Sequence, residues 1–160
     1  MNNCSKNIFN PYDLCESPLG LRFNNLFKRY NQATDKLLKE EDIDRYFFIL
    51  RLICEHKSIT QQCLADSLQI DKTIMVRIID YLSKGGFINR TPHATDRRAY
   101  LITPTEKALN LAPKIDKTFH YLNQSAFKGF TKQEINDFKI YIERMEQNLL
   151  AIQNKIKPKK

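Results

Sequence analysis

The chain has 160 residues, 42% of them hydrophobic, which suits one domain, or one domain with a helical arm, around a packed core. Its formal charge of +8 attracts polyanions, nucleic acid above all, although a merely basic surface is the alternative. There is no apolar run of membrane-spanning length, no signal peptide and no Cys-x-x-Cys spacing among the four cysteines, so we expect a cytoplasmic protein without disulfides or membrane contacts.

The N-terminal part predicts an irregular arm and two helices. Residues 1–17 are polar and contain Pro11, whereas residues 18–40 predict an amphipathic helix. Its apolar stripe consists of Leu19, Phe23, Leu26, Tyr30, Ala33 and Leu37. A second segment, from Tyr46 to Cys54, is apolar nearly all round, which predicts a central helix, with a buried strand as the alternative.

Residues 44–107 predict a helix-turn-helix followed by a β-hairpin. Thr60 and Asp71 are suitable N-caps for two successive helices, 61–67 and 71–85. The second of these helices has an apolar face made of Met75, Ile78, Ile79 and Leu82. The pair Gly85-Gly86 then allows the left-handed backbone that ends such a helix.

Two strand-like runs, Phe87–Thr91 and Ala99–Thr103, flank a basic turn and predict the hairpin. Arginines concentrate in and beside this turn, and an arginine-bearing loop can enter the minor groove of DNA. The charged residues are Arg90, Asp96, Arg97 and Arg98. We expect Asp96 to orient Arg98 by a salt bridge, although a surface turn with unrelated charges is the alternative.

Two helices are predicted over residues 108–156, before a basic tail, 157–160. Thr103-Pro104-Thr105-Glu106 fits a capping box with proline at the first helical position, and Pro113 predicts a kink. The stripe of the first helix consists of Ala108, Ala112, Ile115, Phe119, Leu122 and Ala126. Thr131-Lys132-Gln133-Glu134 fits a second capping box, and Phe130 can pack on Ile135 as a hydrophobic staple.

The last helix carries a strict seven-residue repeat, the spacing of a coiled-coil seam. The seam consists of Ile135, Phe138, Ile142, Met145, Leu149, Ile152 and Ile156. We expect a homodimer, with packing of the stripes inside one subunit as the alternative. The candidate dimerisation residues are Leu19, Phe23, Phe119, Leu122, Ile135, Phe138, Ile142, Met145, Leu149 and Ile152.

The 71–85 helix is the candidate recognition helix, with an ordinary solvated helix as the alternative. Lys72, Thr73 and Arg77 stand on its polar side near the N-terminus, where Arg or Lys can pair with guanine and Thr can touch a thymine methyl group. Thr60 and Gln61, at the start of the preceding helix, are candidates for phosphate contacts.

The chain resembles the MarR family of bacterial winged helix-turn-helix regulators over about residues 19–152, most specifically over about 60–108. The residues that carry the resemblance are Leu64-Ala65, Asp71-Lys72-Thr73, Leu82, Gly86-Phe87-Ile88, Arg90, Asp96-Arg97-Arg98 and Thr105-Glu106-Lys107. Pro104 and Ala108 stand where the family usually has leucine and glycine. The resemblance implies an obligate homodimer, palindromic DNA sites, and control by a small ligand or by oxidation.

The predicted fold is mainly α with a small β-hairpin wing: a winged helix-turn-helix lobe and a helical dimerisation region. The predicted function is a repressor that binds double-stranded DNA, with a protein-interaction module or an oxidant sensor using Cys15 as alternatives. An aromatic effector could bind near Tyr30, Tyr46, Phe47 and Phe48, or these residues simply pack in the core. No metal set, cofactor site or catalytic pair is visible, so we expect neither a cofactor nor an enzyme.

Overall fold

The computed structural model describes residues 18–41, 43, 46–93 and 99–155. Of residues 153–155 it describes only the backbone. Over these residues the chain forms helices α1 (Leu19–Leu37), α2 (Phe47–His56), α3 (Gln61–Ser67), α4 (Lys72–Lys84), α5 (Glu106–Ala126) and α6 (Lys132–Lys155). The strands are β1 (Ile59–Thr60), β2 (Ile88–Pro92) and β3 (Tyr100–Pro104). This mainly helical architecture with a small antiparallel sheet confirms the predicted fold class.

The chain divides into two compact units, one ending at Leu122 and the other beginning at Asn123. The boundary therefore falls within α5, whereas the sequence suggested a division after residue 107. The first half of α5 belongs to the first unit because Ala108, Leu111 and Ile115 are buried in its core.

Helix α2 lies at the centre of the first unit, as its composition predicted, and the alternative of a buried strand is wrong. Leu50 and Ile53 have no exposed surface, and Phe47 is almost fully buried. The helix is nevertheless not covered all round, because Phe48 is 57% exposed. Arg51 of α2 forms a salt bridge with Asp116 of α5, which holds these two helices together at the surface.

The two helices of the predicted helix-turn-helix are capped by the residues that the sequence indicated. The hydroxyl oxygen of Thr60 accepts a 3.1 Å hydrogen bond from the backbone N–H of Cys63 at the start of α3. The carboxylate of Asp71 accepts hydrogen bonds from the backbone N–H groups of Thr73 and Ile74 at the start of α4. The buried face of α4 is the predicted one, Met75, Ile78, Ile79 and Leu82.

The small sheet has the strand order β1-β3-β2, antiparallel throughout. The hairpin of β2 and β3 was predicted, whereas the two-residue strand β1 was missed because it is too short to show a periodic pattern. Ile102 of β3 pairs with Ile59 of β1 on one side and with Arg90 of β2 on the other. Ile102 is fully buried, so the sheet shares the core of the helices.

The predicted capping box at Thr103 is wrong by two residues. Pro104 is the last residue of β3, and α5 begins at Glu106. Thr105 is the residue before the helix, and its hydroxyl oxygen accepts a 3.4 Å hydrogen bond from the N–H of Ala108. Strand pairing decides this difference, because Pro104 is held opposite Ile88 in the sheet. Helix α5 continues without interruption through Pro113.

In the second unit, the predicted capping box at the start of α6 is confirmed. The N–H of Glu134 donates a 3.2 Å hydrogen bond to the hydroxyl of Thr131, and the N–H of Thr131 donates a 2.7 Å hydrogen bond to the Glu134 carboxylate. The ring of Phe127 contacts the rings of Phe130 and Phe138 edge-on, which closes the turn before α6. The staple between Phe130 and Ile135 stays a prediction.

Candidate nucleic-acid interface

Helix α4 has one buried face and one exposed face, and its exposed face carries the predicted DNA contacts. Lys72, Thr73 and Arg77 are all exposed. Thr73 and Arg77 are four residues apart, so they lie one above the other on the helix surface. The first turn is fixed at its N-terminus by Asp71, whose N-capping hydrogen bonds hold the pKa of its carboxyl below the usual value.

Two apolar side chains accompany these polar residues. Ile74 is 52% exposed and Val76 is 39% exposed, although their neighbour Met75 is completely buried. Val76 is three residues beyond Thr73 and next to Arg77, so Thr73, Val76 and Arg77 form a continuous surface. Such a surface offers a guanidinium for guanine and methyl groups for thymine within one helical turn.

Arg90 of β2 is engaged within the protein. Its guanidinium forms a 2.5 Å salt bridge with Asp80 of α4 and donates a 3.3 Å hydrogen bond to the side-chain oxygen of Gln61 in α3. Arg90 and Gln61 were predicted as separate DNA contacts. The structure brings them together through a bond to each other, and it adds Asp80, which the sequence did not single out.

The base of the hairpin is closed by Thr105 and Lys107, which follow β3. The N–H and hydroxyl of Thr105 both donate to the carbonyl of Phe87, at 2.9 and 3.1 Å, just before β2. The ammonium of Lys107 donates a 3.0 Å hydrogen bond to the carbonyl of Gly85 and lies 4.1 Å above the Phe87 ring. These contacts fix the direction in which the two strands leave the core.

The tip of the hairpin lies outside the described residues. It contains Asp96, Arg97 and Arg98, so the predicted salt bridge between Asp96 and Arg98 stays a prediction. Strand β2 ends at Pro92, and strand β3 begins at Tyr100.

Comparisons with known proteins identify the fold. The model of the MarR family matches residues 45–100, which include the whole helix-turn-helix and β2. The uncharacterized HTH-type transcriptional regulator YybA of Bacillus subtilis (strain 168) is 28% identical over 113 residues, which cover 69% of this chain and 75% of that protein. Residues 45–100 of this chain are a MarR family domain, the domain of a family of transcriptional regulators.

Solved MarR regulators have the same fold. A MarR transcriptional regulator from Methanosarcina mazei Go1 is 27% identical, with a TM-score of 0.76 over 83% of this chain and 96% of that one. A MarR family regulator from Listeria monocytogenes, solved as a complex with a 26mer DNA, is 29% identical, with a TM-score of 0.77 over 90% of this chain and 99% of that one. The resemblance inferred from the sequence is therefore confirmed.

The four aromatic residues proposed to line an effector pocket do not share one environment. Phe47 is 2% exposed in the core, and its neighbour Phe48 points to the surface of α2. The ring centroids of Tyr30 and Phe119 are 6.2 Å apart, whereas those of Tyr46 and of Tyr81 on α4 are 5.2 Å apart. Phe47 and Phe48 therefore face different sides of α2.

The residues proposed for dimerisation divide into covered and uncovered ones. Leu122 is 9% exposed and Phe119 packs against the core, so the chain itself covers much of these two side chains. Leu19 and Phe23 of α1 are both 39% exposed. In α6, Leu149 and Ile152 are exposed, whereas Ile135, Phe138, Ile142 and Met145 are half-buried. The last seam residue, Ile156, lies outside the described residues.

The two described cysteines have opposite environments. Cys54 is buried in α2, as predicted, and burial raises the pKa of its thiol. Cys63 of α3 is exposed. Cys15, the candidate sensor thiol, lies outside the described residues.

Within the described part of the chain, no group of three or more His, Cys, Asp or Glu side chains could hold a metal ion. None of the described helices combines the length and the apolar composition that a membrane span requires.

Proposed function

We propose that this MarR family regulator is a repressor that binds double-stranded DNA sequence-specifically, as a homodimer on a palindromic site. The observation that carries the proposal is the exposed surface of Thr73, Val76 and Arg77 on α4. The Listeria monocytogenes relative solved with a 26mer DNA supports DNA as the partner. The net charge of +8 favours binding to a polyanion.

In this proposal, the N-terminal half of α4 enters the major groove. Arg77 pairs with the O6 and N7 atoms of a guanine, and Thr73 and Val76 contact thymine methyl groups. Lys72, on the first turn, neutralises a phosphate or reads a second guanine. Ile74 extends the apolar surface on the other side of Arg77. The capping of α4 by Asp71 supports this arrangement because it orders the turn that carries these side chains.

The hairpin acts as the wing in this proposal. Arg97 and Arg98 reach the minor groove or the phosphates, and Asp96 orients Arg98. The closed base formed by Thr105, Lys107 and Phe87 supports the role, because a fixed base limits where the tip can reach. Arg98→Ala is expected to weaken DNA binding and to leave the dimer intact.

The second subunit would cover the apolar residues that are exposed on α1 and α6. Isolated surface apolar residues are normal, but the exposed Leu149 and Ile152 belong to the seven-residue repeat of α6, which is the pattern of a helix that packs against other helices. A dimer with a two-fold axis would place its two copies of α4 about 34 Å apart, one turn of DNA. An effector that changed this separation would release the DNA, since both half-sites could no longer be occupied together.

Selection of bound sequences from a random duplex pool tests the function and the symmetry together. We expect a two-fold symmetric motif whose half-sites are separated by about one helical turn. Arg77→Ala should then weaken binding to the selected duplex by about 1–3 kcal/mol and relax the preference at one position of each half-site. Arg144→Ala removes the same charge from α6 and should leave the sequence preference unchanged.

The salt dependence of binding distinguishes DNA from a protein partner. Duplex binding whose log affinity falls steeply with log salt concentration supports the proposal, because each neutralised phosphate releases a counterion. If the wild-type protein binds no duplex even at low salt, DNA recognition by this chain is refuted, and docking of a protein partner becomes the better explanation.

The dimer is tested by charges placed on the α6 seam. Leu149→Glu and Ile152→Glu together should yield monomers in analytical ultracentrifugation and abolish binding to the selected site. Burying charged side chains at seam positions is unfavourable in free energy, so the dimer would not form. Gln147→Glu adds a single charge on the opposite side of α6 and is the control. A seam variant that remains dimeric would show that α6 is not the interface.

A further inference from the structure

Arg90 joins three elements of the DNA-binding lobe. It stands on β2, its salt bridge goes to Asp80 on α4, and its hydrogen bond goes to Gln61, the first residue of α3. One guanidinium therefore connects the strand that leads into the wing with both helices of the helix-turn-helix. In the middle of β2, Arg90 is also paired with the fully buried Ile102 of β3, so its backbone position is fixed by the sheet.

The Arg90 guanidinium is partly withdrawn from solvent. Its side chain is 29% exposed, and its Nε atom is buried without a hydrogen-bond partner among the described residues. Two of its three nitrogens are bonded to Asp80 and Gln61. A phosphate could recruit this side chain only by breaking the bonds that it makes inside the protein.

The salt bridge between Arg90 and Asp80 lies next to the proposed DNA-binding surface, because Asp80 stands on the exposed face of α4. It is three residues beyond Arg77 and four beyond Val76, so it lies on the next turn of the same exposed face of α4. Its side chain is 42% exposed. An unpaired carboxylate there would repel the phosphates of a bound duplex, whereas the salt bridge from Arg90 neutralises it.

We propose that Arg90 is a positioning residue and not a DNA contact. It holds Asp80 and Gln61 so that α4, α3 and the base of the wing keep one relative orientation, and it neutralises the carboxylate on the reading face. The inference rests on the proposed function, because it assigns a role within sequence-specific DNA binding. Arg90 therefore affects the preference for one DNA sequence over another. Without this contact, α4 would still be attracted to DNA, but its side chains would no longer be held in one position relative to the bases.

The two possible roles of Arg90 predict opposite effects of Asp80→Asn. If Arg90 contacts DNA, this change removes a negative charge near the phosphates and frees an arginine, so binding to every duplex should strengthen. If Arg90 positions α4, the same change should weaken binding to the preferred sequence, while binding to random sequence is unchanged or strengthened. The substitution keeps the size of the side chain, so the fold is expected to tolerate it.

The experiment measures the affinities of wild type, Asp80→Asn, Arg90→Gln and the double variant for two duplexes. One is the duplex selected from a random pool, and the other is the same length in scrambled sequence, each over a series of salt concentrations. We expect the ratio of selected to scrambled affinity to fall about tenfold in each single variant and no further in the double variant, because the two side chains act as one unit. Glu55→Gln on α2 makes the same charge change and should leave the ratio unchanged.

Three results would overturn the inference. The first is a higher affinity of Asp80→Asn than of wild type for the selected duplex. The second is additive losses of the selected-to-scrambled affinity ratio in the double variant. The third is a slope of log affinity against log salt concentration on scrambled DNA that is smaller for Arg90→Gln by about one counterion, which marks a lost phosphate contact. Thermal unfolding of each variant establishes that the measured protein is folded, and Asp80→Asn still decides the question if Arg90→Gln does not fold. Failure of the proposed function itself is distinguishable, since the wild-type protein would then bind neither duplex.

Discussion

The carboxylate of Asp71 accepts a 2.8 Å hydrogen bond from the backbone N–H of Thr73, which places the cap of α4 next to a proposed base contact. The same carboxylate accepts a longer bond, 3.4 Å, from the N–H of Ile74. The negative charge also interacts favourably with the positive end of the helix dipole. Order in the first turn of α4 therefore depends on a titratable group.

Acid should weaken this cap. Hydrogen bonds from Thr73 lower the pKa of Asp71 from its usual 3.8, so the ionised carboxylate stabilises the folded state above that pH. This contribution is lost as the pH falls through the lowered folded-state pKa, because protonation removes the charge. Asp71→Asn keeps an N-cap without the charge. The difference in unfolding free energy between wild type and Asp71→Asn, from urea denaturation, should be constant above about pH 5 and shrink below the usual pKa. An equal difference at pH 3 and pH 6 would contradict the assignment.

The apolar part of the reading surface can be tested on the DNA. If Val76 contacts a thymine methyl group, replacing that thymine by uracil in the selected duplex removes the methyl and should cost about 0.8 kcal/mol, roughly fourfold in affinity. Val76→Ala should cost a similar amount on the thymine duplex and make the protein insensitive to the uracil replacement. Tyr100→Ala, at an exposed residue of β3, is the control and should stay sensitive. Equal sensitivity of Val76→Ala and wild type to uracil would place Val76 away from the bases.

Local signals explain how much of the fold the sequence predicted. Caps are set by a few neighbouring residues, so the sequence alone identifies Thr60, Asp71 and Thr131 as caps. The error at Thr103 has a non-local cause. Both Thr103 and Thr105 can begin a helix, and only the pairing of Pro104 with Ile88 extends β3 and moves the start of α5 to Glu106.

The candidate site was only partly predictable, for a similar reason. Arg90 and Gln61 are 29 residues apart, and nothing in their surroundings in the sequence indicates that they bond. Charge and exposure alone suggested that both contact DNA. Strand β2 brings Arg90 to α3 and α4, and that approach depends on the register of the sheet and not on a local pattern.

The cysteines should differ in reactivity. Burial raises the pKa of Cys54, which keeps its thiol protonated at neutral pH, and the side chain is only 7% exposed, whereas Cys63 is exposed. In a variant with Cys4→Ser and Cys15→Ser, a thiol reagent should therefore modify one group per chain in buffer and two in concentrated urea. Adding Cys63→Ser should remove the fast reaction. A second rapidly modified thiol in the native protein would show that α2 opens readily.

Two glycine substitutions should have opposite effects on stability. At Gly85 a Cβ atom would lie 2.9 Å from a ring carbon of Phe87, and that ring is 1% exposed under the Lys107 ammonium. The ring must shift in a packed core, so Gly85→Ala should destabilise the protein by about 1–3 kcal/mol. A Cβ atom at Gly20 of α1 would meet nothing within 4 Å, and Gly20→Ala should stabilise by about 0.5–1 kcal/mol because alanine favours the helix. Thermal unfolding of both variants checks the pair, and equal shifts in Tm would show that contact with Phe87 does not determine the choice of glycine at residue 85.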